Sequence, residues 1–292
     1  MFTVTTLPLG RDDNFPPGTA RPDDRFIAKF AVDAGGERLA SGELCAGTPY
    51  GDETGQLVTV RWSRGSVAAA RAIVEAAVEA APAGAELQIS TNTEVHEWID
   101  ERLALAESLG FALWQEKEGF WFTDRVQPLP EPEGVVVGTL AGIGRDAYAG
   151  VIAACTAGTL DRVDADAVAS MGAAGWADAF IGSCHTDEDA DSWFVISNAA
   201  GERCGFVAVG AFDEEATGTI LHIGVVPGHR GNGYVDQLLR LTNLACRARG
   251  WKGMLSDVDV TNAPMMAAME RAGHHAADRP WHKWVYRMRT SG

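Results

Sequence analysis

The chain of 292 residues carries 24 Lys and Arg against 40 Asp and Glu, a formal net charge of −16, and is 46% hydrophobic. That length suits two domains, and the negative charge disfavours nucleic acid or an anionic membrane surface as a partner. No apolar run reaches the roughly 18 residues of a membrane span.

Five scattered cysteines (Cys45, Cys155, Cys184, Cys204, Cys246) form no C-x-x-C pair. Neither a disulfide framework nor a metal site is expected, and a reduced cytoplasm is the expected setting. The opening residues, MFTVTTLPLGRDDNFPPG, lack a basic region followed by an apolar core, so no secretory leader is expected.

Alternation of apolar and polar residues predicts paired strands over 25–32 and 38–47 and a further strand over 55–62. A helix follows over 66–81, a strand over 85–90, a helix over 94–110 and a hairpin over 111–124. VQPLPEPEG, residues 126–134, holds three prolines and resists both helix and ladder, so it reads as a linker. The expected divide is a domain over 1–127, a linker over 128–134 and a second domain over 135–292.

Beyond the linker, a helix is expected over 145–158 and a glycine-interrupted one over 164–180. Strands follow over 192–199, 203–212 and 218–226, then a helix over 233–249 and a strand over 253–260. A helix over 262–273 has Pro264 in its first turn and Gly273 at its end, and a last strand covers 282–288. The two halves share an order of elements, and Arg64-Gly65-Ser66-Val67 stands between strand and helix as Arg230-Gly231-Asn232-Gly233 does. This is the pattern of a diverged internal duplication. The fold class is therefore mixed α/β: two tandem domains, each a central, mostly antiparallel sheet flanked by helices.

Charge is unevenly distributed. Residues 133–229 hold 14 acidic and 3 basic side chains, whereas residues 230–292 hold 5 acidic and 10 basic ones. The basic segment opens inside VVPGHRGNGYVDQLLR, residues 225–240, a glycine-rich turn between strand and helix. Glycines let backbone N–H groups approach phosphate oxygens, and the helix N-terminus adds partial positive charge. A nucleotide P-loop is disfavoured, because Tyr234 and Val235 stand where its lysine and hydroxyl belong. A dinucleotide fold is disfavoured by Asp236 at its third glycine position.

Strand, Pro227, Arg230-Gly231-x-Gly233 and helix together resemble the pyrophosphate loop of the GNAT superfamily of acyl-CoA-dependent N-acyltransferases. The helix carrying Asn262, Arg271 and Gly273 resembles the family's late helix. The motif likeness covers residues 144–288, and residues 24–124 follow only in order of elements. The resemblance implies a tandem protein that binds acetyl-CoA in its second domain alone, since Val67 replaces the loop's second glycine in the first domain. It implies cofactor contacts from Val225, Val226, Arg230, Gly231, Asn232, Gly233, Tyr234, Val235 and Asn262.

The reaction implied is acetyl transfer to the primary amine of a small polar molecule, by direct attack in a ternary complex, in secondary metabolism or resistance. His222 occupies the usual position of the general base, and imidazole chemistry suits that task near neutral pH. The family's acidic tyrosine is replaced by Met269, which leaves Tyr234, Ser256 or solvent to protonate the thiolate. Asp257 and Asp259 share a strand face and are candidates for a cationic substrate, with helix capping as the alternative for Asp259. Glu214, Glu215 and the acidic run over 185–193 are further candidates for attracting an amine. Two other readings stay open: a protein N-acetyltransferase, and a CoA-binding sensor without turnover. A monomer or a homodimer is compatible with each.

Overall fold

The computed structural model describes residues 2–7, 26–46, 55–93, 98–123, 129–184, 190–212, 216–276 and 281–290. The chain forms two compact units, Met1–Glu116 with Lys283–Gly292, and Lys117–His282.

The first unit contains β1 (Thr5–Leu7), β2 (Phe26–Ala34), β3 (Glu37–Ala46), β4 (Gly55–Trp62), α1 (Val67–Ala80), β5 (Glu86–Asn92) and α2 (Ile99–Ser108). Its sheet runs β1-β2-β3-β4-β5 and is closed by β12 (His282–Arg289), the last strand of the chain. Every pairing is antiparallel except β4 with β5. One face of α1 explains its place. Ala69, Ala70, Ile73, Val74 and Ala77 recur at helical spacing, are fully buried, and pack with Phe30 and Leu44 of the sheet.

The second unit begins inside β6 (Ala112–Phe122) and continues with β7 (Val136–Thr139), α3 (Leu140–Ile143), α4 (Arg145–Cys155) and α5 (Arg162–Cys184). Then come β8 (Trp193–Ser197), β9 (Arg203–Ala211), β10 (Thr217–Val225), α6 (Tyr234–Ala248), β11 (Gly253–Asp259) and α7 (Ala263–Arg271). The sheet order is β6-β11-β10-β9-β8-β7, with β10 and β11 the one parallel pair among the described residues of this unit. Period-two alternation in β9 serves both faces. Phe206 and Ala208 join the core under α4 and α5, whereas Val207 and Val209 join the core under α6. The glycine-interrupted helix expected over 164–180 bends at Gly172, whose φ of 76° is left-handed.

Each unit thus follows one order: four antiparallel strands, a helix, a parallel strand and a helix, with a closing strand, the second unit adding α3–α5 after its first strand. The closing strands are exchanged along the chain. The divide expected over 128–134 does not separate the units, because residues 117–122 belong to the second and residues 283–289 to the first. The hairpin expected over 111–124 is a single strand. Gly119 breaks its pattern for packing rather than for a turn. A Cβ there would lie 2.7 Å from Trp281 Cβ, and the Gly119 N–H donates to the Trp281 carbonyl at 2.7 Å. Of the aromatic residues of these strands, Phe120, Phe122 and Tyr286 are buried, whereas Trp114, Trp121 and Trp284 are half-buried. Residues 94–97 of the helix expected over 94–110, residue 124 of the expected hairpin, residues 126–128 of the linker, residues 185–189 of the acidic run, and Glu214 and Glu215 lie outside the described residues.

Candidate functional site

The parallel pair β10–β11 is short. Thr217 faces Gly253 and Gly218 faces Met254, and there the ladder ends. β11 continues along β6 to Asp259, and β10 continues along β9 to Val225. Two residues past the last pairing the Ile220 N–H donates to the Ser256 hydroxyl at 3.2 Å, a side chain reaching where the neighbouring backbone no longer does. The strands have splayed, and an 860 Å³ cavity runs along β10 past the glycine-rich turn to the first turn of α7. Gly224 lets the end of α4 approach this gap. A Cβ on it would lie 2.8 Å from Cys155 Cβ. The Cys155 thiol lines the cavity, and burial pushes its pKa up to about 12, against the opposing pull of Arg230.

At the end of β10 the Val226 N–H donates to the Cys204 carbonyl at 2.9 Å. Hydrogen-bonding direction alternates along an antiparallel ladder, so the Val225 N–H points the other way, into the gap. Of the two valines expected to present backbone groups to the cavity, Val225 keeps its N–H for that purpose.

A short 3₁₀ turn, Pro227–His229, leads to Arg230. Gly231 and Gly233 then take left-handed φ values of 80° and 76°, which a side chain disfavours. Among the described residues, the N–H groups of Gly231, Asn232, Gly233, Tyr234 and Val235 meet no backbone acceptor. They surround the N-terminus of α6, the arrangement that suits phosphate oxygens. The Asn232 amide ties the turn together by donating to the His229 and Arg230 carbonyls. Asp236, in the first turn of α6, would oppose an anion if it stood alone. Instead Arg271 of α7 donates to its Oδ1 through Nη2 at 2.9 Å and Nε at 3.2 Å.

Arg230 differs from its expected role. Its guanidinium donates to four carbonyls, those of Val225, Cys155, Ala157 and Gly158, at 2.9–3.1 Å. Its backbone N–H donates to Pro227. Arg230 therefore fastens the turn to the carbonyl end of α4 rather than presenting its charge to a ligand. Arg230→Lys, which cannot reproduce that planar fork, should weaken CoA binding by about tenfold, or ~1.4 kcal/mol. Calorimetric titration of the purified chain reads this directly.

A matching family model now has a structural counterpart: the acetyltransferase (GNAT) family model matches residues 164–274. The second unit carries a GNAT domain. Across 90% of the chain the structure is similar to that of a GCN5-related N-acetyltransferase from Sphaerobacter thermophilus, with a TM-score of 0.64 at 19% identity over 81% of that chain. Across 91% it is similar to a tandem GNAT protein from the clavulanic acid biosynthesis pathway, with a TM-score of 0.58 at 17% identity over 83% of that chain. These likenesses show that the GNAT fold, in tandem, accounts for both units. In sequence, 87 residues are 40% identical to streptothricin acetyltransferase of Streptomyces lavendulae, covering 30% of this chain and 46% of that protein. The match thus spans about half the length of that curated relative.

The GNAT domain brings some expected residues to its cavity and keeps others away. His222, Val225, Arg230, Gly231, Gly233, Tyr234, Val235 and Asn262 line it. Asn262 caps α7, its side-chain oxygen accepting from the Met265 N–H at 3.3 Å. The Tyr234 hydroxyl is engaged by Cys204, and that hydrogen bond, with burial and nearby Glu202, pushes its pKa up. Met269 is buried in the core with Phe120, Leu239 and Val258.

Asp257 and Asp259 do not line the cavity. Asp257 pairs with Lys117 at 2.9 Å. Asp259 is 1% exposed, and its Oδ1 accepts from the Thr261 N–H and hydroxyl at 2.9 and 2.7 Å. Asp259 therefore fastens the turn at Thr261 ahead of α7, whose cap is Asn262 rather than Asp259.

Besides Asp236, one further carboxylate among the described residues lines the cavity, and it was not singled out from sequence. Asp164 lies in the first turn of α5, which sits against the splayed strands. There Asp161 pairs with Lys117 at 3.4 Å, Arg162 with Asp259 at 3.8 Å and Asp164 with His222 at 3.4 Å. Asp161 also caps the helix by accepting from the Val163 and Asp164 N–H groups. In sequence, Asp164 reads as an ordinary acidic residue in a helix's first turn, and no local signal sets it apart. Burial pushes its carboxyl above the usual range. His222 and Lys117 pull it down, Asp161 pushes it up and the Thr159 hydroxyl pulls it down.

A raised carboxyl pKa has a consequence for stability. The contribution of Asp164 is fully present below the ordinary carboxylate range and is lost as pH rises through the raised value. Asp164→Asn should therefore melt above the parent at pH 8, with the difference closing toward pH 3. A melting series across that range tests the sign.

Proposed function

We propose that the protein transfers an acetyl group from acetyl-CoA to the primary amine of a small polar molecule. The observation that carries this reading is the joining of two features in one cavity: the N–H cluster at the start of α6, and the β10–β11 gap with the Val225 N–H and the His222–Asp164 pair at its side. Backbone donors at Gly231 through Val235 suit a pyrophosphate. Asn262 and the β10 edge suit an extended pantetheine arm. The residues present therefore fit CoA, and CoA when bound would supply the activated acyl group.

The chain's own part is positional and electrostatic. Val225 N–H is placed to hydrogen-bond a thioester oxygen, on which charge develops during attack. The His222–Asp164 pair is placed to receive the proton of an ammonium. Thr156, Thr159 and Leu160 line the cavity with that pair and, with Asp164, offer hydroxyls, an apolar side chain and a carboxylate. This suits a small cationic acceptor better than a peptide chain. The streptothricin acetyltransferase likeness supports a small-molecule acceptor of that kind, in resistance or secondary metabolism.

The test is thiol release from acetyl-CoA against a panel of amines that includes streptothricin, aminoglycosides, amino acids and polyamines. Acceptor-dependent release with at least one small amine is the expected result. CoA binding with no release from any amine would instead make the cavity a sensor.

A further inference from the structure

Within this cavity the geometry points to Asp164, not His222, as the group that takes the proton of the acceptor's ammonium, with the His222 imidazole held beside it. This rests on the acetyl-transfer reading above and names a catalytic residue for it.

His222 Nδ1 accepts the Ile223 N–H at 3.1 Å, so the lone pair of the neutral ring is already used. The hydrogen is then on Nε2, which faces Asp164 Oδ2 at 3.4 Å. Ring rotation is opposed by aromatic neighbours on several sides. Phe206 and Phe180 stand edge-on with centroids 5.1 and 5.2 Å away, and Trp176 lies at 6.4 Å. In this setting the imidazole has no free lone pair for a substrate.

Asp164 is placed differently. Its Oδ2 meets His222 Nε2 and, at 3.4 Å, the Thr159 hydroxyl, and the residue lines the cavity. Among the described residues its Oδ1 has no hydrogen-bond donor. The charged or titratable groups around it are His222 from β10, Asp161 from its own helix start and Lys117 from β6. Burial raises its basicity, which suits a carboxylate that must accept a proton from an amine.

The step balances as follows. One proton of R–NH₃⁺ passes to Asp164 Oδ1 and later to solvent. The freed nitrogen lone pair forms the C–N bond to the acyl carbon as the C–S bond breaks. The second amine proton goes with the leaving thiolate, giving CoA-SH and a neutral amide.

Two variants and two readouts test this. Carbonyl ¹³C NMR of Asp-labelled full chain, without CoA or acceptor, follows the Asp164 carboxyl directly. Its titration should lie above the ordinary aspartate range, vanish in Asp164→Asn and move to higher pH in His222→Asn, because His222 pulls it down. The kcat/KM profile, measured with whichever amine the panel identifies, should parallel it. Asp164→Asn should lose at least about a hundredfold and its acidic limb, whereas His222→Asn should keep a limb displaced upward. Loss of the limb in His222→Asn with its retention in Asp164→Asn would make His222 the proton acceptor and overturn the assignment. An ordinary carboxyl titration at Asp164 would also overturn it. Failure of the transfer reading is recognisable separately, as no turnover by the parent chain with any amine.

Discussion

Titration of the full chain with CoA is expected to give one site per chain, and Gly233→Val to weaken that binding at least about a hundredfold, ~2.7 kcal/mol. Gly233 is the N-cap of α6 with φ 76°, a conformation that costs an L-residue about 1–2 kcal/mol and a β-branched one more. A valine there would also turn aside N–H groups at the helix start. The first unit shows what remains when that position is lost. Gly65 keeps a left-handed φ of 78°, but α1 begins at Val67 with Ser66 as its cap at φ −98°. One residue and one left-handed position fewer separate its glycine from its helix. Its strand gap is filled as well. β4 and β5 pair from Gly55↔Glu86 to Leu57↔Gln88, and beyond that Arg102 Nη1 donates to the Val60 carbonyl at 3.1 Å. The Arg102 guanidinium lies 3.9 Å from the Trp62 ring centroid, and burial, helped by Arg61, lowers its pKa to about 10. Val67→Gly alone should therefore create no second site. Two sites in the parent, or undiminished affinity in Gly233→Val, would remove the assignment of the turn.

Most elements were legible because each carries its own period. The turn was legible because left-handed backbone at Gly231 and Gly233 needs glycine. The site's electrostatics were not. Arg230 finds its acceptors at Cys155, Ala157 and Gly158, more than 70 residues earlier, and no local pattern announces a carbonyl cluster. Asp164 becomes distinctive only when α5 meets β10 and His222. Asp257 and Asp259 were readable as a shared strand face, but which cation each meets depends on Lys117, Arg162 and Thr261.

The strand exchange was hidden for a different reason, and it leads to the second large expected effect. β6 and β12 each follow the late helix of one half and carry similar alternating aromatic patterns, so either could close either sheet. The structure gives β12 to β5 through seven residue pairs, Lys283↔Asn92 to Arg289↔Glu86. Val285 and Tyr286 are each 3% exposed, the Tyr286 hydroxyl donates to Glu107 at 3.1 Å, and the Thr290 N–H donates to the Ala85 carbonyl at 2.9 Å. Burying side chains of this size contributes about 1.5–3 kcal/mol each, against a typical domain stability of about 5–15 kcal/mol. Its removal also leaves β5 as an open edge. A fragment of residues 1–127, the unit suggested by the proline-rich segment, should therefore fail to give a dispersed amide spectrum or a cooperative melt. A fragment of residues 135–292 should fail too, since β11 loses β6 and Asp161 and Asp257 lose Lys117. Mixing the two fragments restores both closing strands and should recover CoA binding. A cooperative melt from residues 1–127 alone would show that β12 is dispensable and that the divide at the linker is the physical one.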